Sequence, residues 1–306
     1  MKLKVLTIMM VLSCLMAITA IAGDLPDGSN GNPLRVLMVP ADTGSGDITE
    51  DYKPVFDAIG KKYNLNFKVM AGESYAAVVQ GLCNDQADIA WFGPVTFGEA
   101  RELCNAELLA VDVKKGKSVY YSGIYTRKGN GLKKLKDLKG HSLAVGSTHS
   151  TSSFNYPVAM MIAEGIDPAR DLKKIIVAGS HTNSIAALRE GRVDACAASF
   201  NSWEKAIKKG IIDPKEFKVL AKSEPIPNPP LSMNKKLDAG LKATLKEAFN
   251  SIHTIVPAGK IRGYGGKKVD RYDADYPVEK MLSALTKLSA VTPKVKEAIV
   301  EKAGER

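Results

Sequence analysis

At 306 residues the chain is long enough for two ordinary lobes. Its formal net charge is +10, with the basic residues spread over many segments. The densest stretch, Lys133-Lys134-Leu135-Lys136, reads as a solvated face. Basic and aromatic residues do not interleave and no known nucleic-acid motif occurs, which excludes nucleic acid as a partner. A mild positive field of this kind helps to collect anions.

The amino terminus reads as an export signal over residues 1–22. Lys2 and Lys4 precede an uncharged apolar run from Val5 to Ala22, which ends in the small-residue site Ala20-Ile21-Ala22. Cleavage there leaves about 284 residues and lowers the charge to +8. Val11-Leu12-Ser13-Cys14 loosely resembles a lipoprotein box, an alternative that tethers the protein at Cys14. The apolar residues after Cys14 favour cleavage after Ala22 and a periplasmic mature chain.

Short apolar runs then alternate with amphipathic stretches. Strands are predicted at 34–39, 67–71, 88–92, 108–113 and 119–126, and helices at 52–62, 74–83 and 96–105. This β-α-β-α-β order predicts an α/β fold with a parallel sheet. Cys83 and Cys104 each end a helix on the same side of such a unit, so a bridge between them is sterically reasonable. Cys196 lies in an apolar run and reads as a buried free thiol. None of the cysteines has metal-ligand spacing.

The rhythm restarts with strands at 141–145, 174–177, 193–197 and 217–221 and helices at 152–164, 183–190 and 202–209. Four prolines in Pro225-Ile226-Pro227-Asn228-Pro229-Pro230 exclude helix and interior strand, and mark the chain leaving this second unit. The rest reads as helical, at 237–251, 278–289 and 293–302, and is expected to pack on the first lobe. The organisation is therefore residues 23–125 plus 226–306 as lobe I and 126–225 as an inserted lobe II. Two crossings predict a hinge and a ligand cleft between lobes.

Three segments carry chemistry. Gly146-Ser147-Thr148-His149-Ser150-Thr151-Ser152-Ser153 follows a strand and opens a helix, where free N–H groups and partial positive charge meet small hydroxyl residues. The nucleotide P-loop spacing and its lysine are missing. An oxyanion seat and a plain capped loop both fit this segment. Gly179-Ser180-His181-Thr182-Asn183 has the same strand-to-helix setting, and places His181 either at the crevice or on the surface. Ala90-Trp91-Phe92-Gly93-Pro94-Val95-Thr96 suits a cleft wall or simple core packing. Tyr75 and Tyr120-Tyr121 are further aromatics that fit either place.

Taken in order, Trp91-Phe92-Gly93-Pro94, Tyr120-Tyr121-Ser122, Ser150-Thr151-Ser152 with Pro157, Gly179-Ser180-His181 and Val193-Asp194-Ala195 resemble the phosphonate/phosphate/phosphite-binding proteins of ABC importers. The likeness runs from about Leu34 to Tyr276. It implies a two-lobed periplasmic binding protein of type II-like fold, with a hinge and an inter-lobe cleft. It also implies a monomer that serves a membrane permease, with no cofactor and no metal. The oxyanion contacts it implies are Ser150, Thr151, Ser152, His181 and Thr96, with Tyr75, Tyr52 and Trp91 as aromatic neighbours. Two positions depart from the pattern. Ser153 stands where the family usually has glycine. Thr182 stands where binders of aminoalkylphosphonates carry an acid, which points to a smaller ligand such as phosphite, phosphate or methylphosphonate.

Two other readings remain open on the residues. A hydrolase would use Ser150 with His149 or His181, yet the chain has no Gly-x-Ser-x-Gly elbow and no evident orienting carboxylate. A binding or sensory module for another small anion, such as a sulfonate, would use the same lobes.

Overall fold

The computed structural model describes residues 26–42 and 48–305. The export signal and Cys14 lie outside the described residues. Among those described, no helix is long and apolar enough to cross a membrane.

The chain opens with β1 (Leu34–Met38), α1 (Ile48–Tyr63), β2 (Phe67–Ala71), α2 (Tyr75–Cys83), β3 (Ile89–Trp91), α3 (Pro94–Cys104) and β4 (Glu107–Val113). It crosses through β5 (Val119–Tyr120) into β6 (Ser122–Arg127). Then follow β7 (Ser142–Val145), α4 (Tyr156–Ala163), β8 (Lys174–Val177), α5 (His181–Arg189), β9 (Ala195–Ser199), α6 (Phe200–Lys208) and β10 (Phe217–Lys222). The chain returns through β11 (Ile226–Pro227) to β12 (Leu231–Met233) and α7 (Ala239–Ile255). It closes with β13 (Arg262–Gly263), β14 (Lys267–Lys268), β15 (Arg271–Asp273), α8 (Val278–Thr286) and α9 (Pro293–Gly304).

The fold is α/β as predicted, but the two main sheets are mixed rather than parallel, because strands that return from the other lobe enter antiparallel. The first has the order β15-β4-β12-β3-β1-β2 and the second β10-β6-β9-β7-β8. β1 runs parallel to both β2 and β3, while β12 enters antiparallel between β3 and β4. The same device recurs in the second sheet, where β7 is parallel to β8 and β9 and β6 is antiparallel to β9 and β10. Each sheet has its own buried apolar cluster.

The crossings differ from the predicted boundary. Residues 119–126 read as one strand, but Tyr120 pairs with Ile226 while Ser122 already pairs with Ser199 of the second sheet. The switch thus falls at Tyr121, a few residues before the predicted entry. β5 and β11 form an antiparallel ribbon between the sheets. Prolines are tolerated there because an edge ribbon demands few N–H donors.

The tail also departs from the expectation. α7 buries Leu245, Ala248, Phe249 and Ile252 in the first core, as predicted. α9 instead packs on the second core through Ile299, joined by Val291 and Val295. The chain therefore crosses a third time, between Leu288 and Val291. The tail contributes strand as well: β15 pairs along β4, from Arg271 opposite Val113 to Asp273 opposite Val111. An apolar stripe on a helix shows that it must be covered but not by which sheet.

Cys83 and Cys104 form a disulfide joining the ends of α2 and α3, 21 residues apart, and Cys196 is a buried free thiol. Closing a loop of that length removes unfolded-state entropy worth about 3 kcal/mol. Cys83→Ser with Cys104→Ser is expected to lower unfolding stability by that amount in a denaturant titration. A midpoint unchanged from wild type would show that the bridge contributes nothing.

Candidate functional site

The loop after β7 turns sharply into α4. Ser150 caps it, and residues Thr151–Asn155 form one wide turn in which the Asn155 N–H reaches the Ser150 carbonyl at 3.1 Å. Turns of this i→i+5 kind are rare and are frequently found at functional sites. The N–H groups of Thr151 and Ser152 stand at its open, partially positive end. Asn155 clamps the loop, donating through Nδ2 to the carbonyls of Thr148 (3.0 Å) and Ser150 (2.8 Å).

This turn faces the first sheet across a narrow, nearly closed cavity of about 10 Å³. Drug-sized sites run to ~300–1,000 Å³, so with the lobes this close the space is scaled to a very small group, about one water across. Ser150, Thr151, Ser152 and His181 line it from the second lobe, and Tyr75, Trp91, Tyr120 and Tyr264 from the first lobe and the crossing ribbon. Val39, Ala41, Gly93 and Pro229 complete the wall. Gly93 is required by closeness, since a Cβ there falls 2.9 Å from the Thr151 hydroxyl oxygen.

Six of the eight residues singled out in the sequence meet at this cavity: Ser150, Thr151, Ser152, His181, Tyr75 and Trp91. Thr96 and Tyr52 stand behind it. The Thr96 hydroxyl donates to the Gly93 carbonyl at 3.0 Å and so fixes the first turn of α3. The Tyr52 ring packs on Trp91 with centroids 5.8 Å apart, supporting the wall from the core side. Tyr264 and Pro229 escaped the sequence reading. The run Gly263-Tyr264-Gly265-Gly266 is the signal that marks Tyr264, because glycines around one aromatic let the backbone approach other chains closely.

His181 is neutral. Ser199 donates its backbone N–H to His181 Nδ1 at 2.9 Å, which leaves the ring proton on Nε2, 3.4 Å from Ser150 Oγ. Burial pushes the imidazole down to about 4, against a smaller upward pull from Asp42. Burial likewise raises the phenols of Tyr75 and Tyr120, opposed by hydrogen bonds to Ser150 and to Ser152 and Thr151 respectively. Among the described residues, no lining side chain carries a charge at neutral pH. The cavity is therefore a cluster of neutral donors in a dry setting, where each bond to an anion is strengthened by the low dielectric.

A proton on Nε2 also decides against hydrolysis. His181 has no lone pair there to take a proton from Ser150, and its other nitrogen is held by a backbone donor rather than a carboxylate. His149 is engaged elsewhere, with Nδ1 2.9 Å from Glu99.

Several contacts hold the two sheets closed on this cavity. Thr151 Oγ1 accepts the Val95 N–H at 2.9 Å, and the His181 N–H donates to the Ala41 carbonyl at 2.9 Å. The Tyr264 hydroxyl lies 2.8 Å from Ser199 Oγ and 2.9 Å from Ser202 Oγ. Lys205 on α6 reaches Asp51 on α1 at 2.8 Å and Asp42 at 3.6 Å. Burial raises the Asp51 carboxyl to about 6, although Lys205 opposes the shift.

Two lobes joined by a crossing ribbon, with a donor-lined cavity between them, define a solute-binding protein of the hinged type. Residues 37–261 match the family described as "ABC transporter, phosphonate, periplasmic substrate-binding protein", and the chain belongs to that family. It is 27% identical over 207 residues to the phosphonates-binding periplasmic protein of Escherichia coli, covering 66% of this chain and 61% of that relative's length. It is 28% identical over 227 residues to the phosphate-import protein PhnD of Mycolicibacterium smegmatis, covering 71% and 70%. Its fold matches the structure of PhnD1 from Prochlorococcus marinus in complex with methylphosphonate, with a TM-score of 0.68 at 20% identity, over 84% of this chain and 100% of that one. Proteins of this family bind substrates for transport.

A buried neutral histidine has a consequence for stability. The folded pKa of about 4 lies below the ordinary 6.5, so between those values the unfolded chain holds a proton that the folded chain refuses. His181 thus contributes stability above pH 6.5 that is lost as pH falls towards 4. The span corresponds to about 3 kcal/mol. Denaturant titrations from pH 7 to pH 4 are expected to show a shallower loss for His181→Gln than for wild type. Identical slopes would mean that His181 titrates as an exposed residue.

Proposed function

We propose that this protein captures a phosphorus oxyanion (a phosphonate, phosphite or phosphate) in the inter-lobe cavity and delivers it to an ABC permease. The observation that carries the proposal is the convergence of Ser150, Thr151, Ser152, His181 and three tyrosines on one small, buried, uncharged cavity at the open end of a helical turn. Such an environment binds an anion through oriented dipoles. Each hydrogen bond to a charged group contributes ~1.5–3 kcal/mol, so a few of them, after ordering costs, reach micromolar binding.

The relatives support the ligand class. The Escherichia coli relative is named for phosphonates, the Mycolicibacterium smegmatis one for phosphate, and the Prochlorococcus marinus structure holds methylphosphonate. The size of the cavity and the hydroxyl of Thr182 favour a ligand without a long amine-bearing arm. Thr96 and Tyr52 act from the layer behind the cavity. The protein is exported to the periplasm through the segment at 1–22 and acts there as a monomer. The exposed large apolar side chains Leu103, Val219 and Val300 lie on three different elements, which fits a single copy. The two sheets move as lobes about the β5–β11 ribbon, and closure brings Thr151 against Val95.

Thermal melts with phosphate, phosphite, methylphosphonate, aminoethylphosphonate, sulfate and taurine test the reading. Ligand at 100 times its Kd adds about 2.7 kcal/mol, a rise of a few degrees for a chain of this size. A rise with at least one phosphorus oxyanion is expected. A rise with taurine alone would replace the ligand class by a sulfonate, and no rise with any phosphorus oxyanion would end the proposal. Thr151→Val keeps the side-chain shape and removes the hydroxyl. It is expected to weaken the best phosphorus ligand by at least about tenfold in calorimetry. Unchanged affinity would remove Thr151 from the site.

A further inference from the structure

We infer that Ser153, working with Gly146, is a positioning residue that fixes the direction of two donors in the cavity, the Ser150 hydroxyl and the His181 Nε2–H. Ser153 is fully buried and does not itself line the cavity. Its hydroxyl donates to Ser150 Oγ at 2.7 Å, and its backbone N–H donates to the same oxygen at 3.2 Å. A serine oxygen has two acceptor sites, and Ser153 fills both. Ser150 is left with its proton alone to offer, so it acts only as a donor towards Tyr75 and the cavity.

The same saturation frees His181. Its Nε2 lies 3.4 Å from Ser150 Oγ, a long hydrogen bond that would shorten if that oxygen had a lone pair to spare. With both sites taken by Ser153, and Nδ1 held by the Ser199 N–H, the Nε2–H makes only a long, weak contact at Ser150, which a stronger acceptor readily replaces. It remains available to an anion. The hydroxyl of Ser153 needs space that only a glycine leaves. A Cβ on Gly146 would fall 2.0 Å from Ser153 Oγ and 2.8 Å from its Cβ. Gly146 also donates its N–H to the Ser153 carbonyl at 2.9 Å, which holds the pair in register.

The inference rests on the oxyanion reading for its consequence, but the orientation of His181 can be measured without ligand. Two variants separate hydrogen bonding from packing. Ser153→Ala deletes the hydroxyl. Gly146→Ala combined with Ser153→Gly returns a methyl to the space that the hydroxyl occupies, which keeps the cavity filled. In the ligand-free protein, nuclear magnetic resonance of the His181 Nε2–H is expected to move downfield in both variants, as that proton turns to the freed Ser150 oxygen. Calorimetry with methylphosphonate is expected to show binding weakened by at least about tenfold in both, the loss of one well-directed bond to a charged group.

A resonance that stays at its wild-type position overturns the inference, as does methylphosphonate affinity within about twofold of wild type. Should the double variant not fold, Ser153→Ala alone carries the same two readouts. If wild type binds no phosphorus oxyanion, the proposed ligand class falls, while the His181 resonance still decides what Ser153 does.

Discussion

The Val95 N–H at the start of α3 is buried, and its partner is not on its own lobe. It donates across the cleft to Thr151 Oγ1 at 2.9 Å. A buried donor without a partner costs about 1–3 kcal/mol, so each lobe supplies what the other cannot do without when the cleft is shut. Gly93 lets Thr151 come this near, Thr96 fixes the turn that aims the N–H, and Tyr52 backs the wall through Trp91. Residues that do not line the cavity thus share in building it.

Closure is reinforced by chemistry of different reach. The Tyr264 hydroxyl sits between Ser199 and Ser202, where α6 begins, and its backbone N–H is held by the buried carboxylate of Asp112 at 3.1 Å. Lys205 spans the same seam to Asp51 and Asp42. Two acids share one lysine in a buried setting, and burial holds Asp51 partly protonated near pH 6. The seam therefore carries its charge outside the lining of the cavity. The lining itself stays neutral, so the proposed selectivity for an anion would depend on where donors point. That dependence gives weight to small details such as the acceptor count of a single serine oxygen.

The neutral lining also separates binding from catalysis. Ser150 and His181 are close enough to suggest a nucleophile and base, yet the Ser199 N–H on Nδ1 sets the opposite tautomer. Two side chains common in hydrolases are here held as donors. Their chemistry is decided by a backbone group eighteen residues further along the chain.

Much of this was legible in the sequence because it is local. Alternating apolar runs gave the strands, the proline cluster marked the return crossing, and the serine–threonine run after β7 marked the turn that opens on the cavity, since helix starts need side-chain or ligand partners. The ends of α2 and α3 even placed Cys83 beside Cys104. What the sequence left open depends on partners distant in the chain. It could not show that α9 covers the second core, that β15 extends the first sheet, or that the strand at 119–126 changes sheets at Tyr121. Nor could it show that Tyr264 reaches the cavity while Thr96 and Tyr52 stay behind it. Periodicity states which face of an element must be buried, whereas only tertiary packing states what buries it and where each hydrogen bond ends.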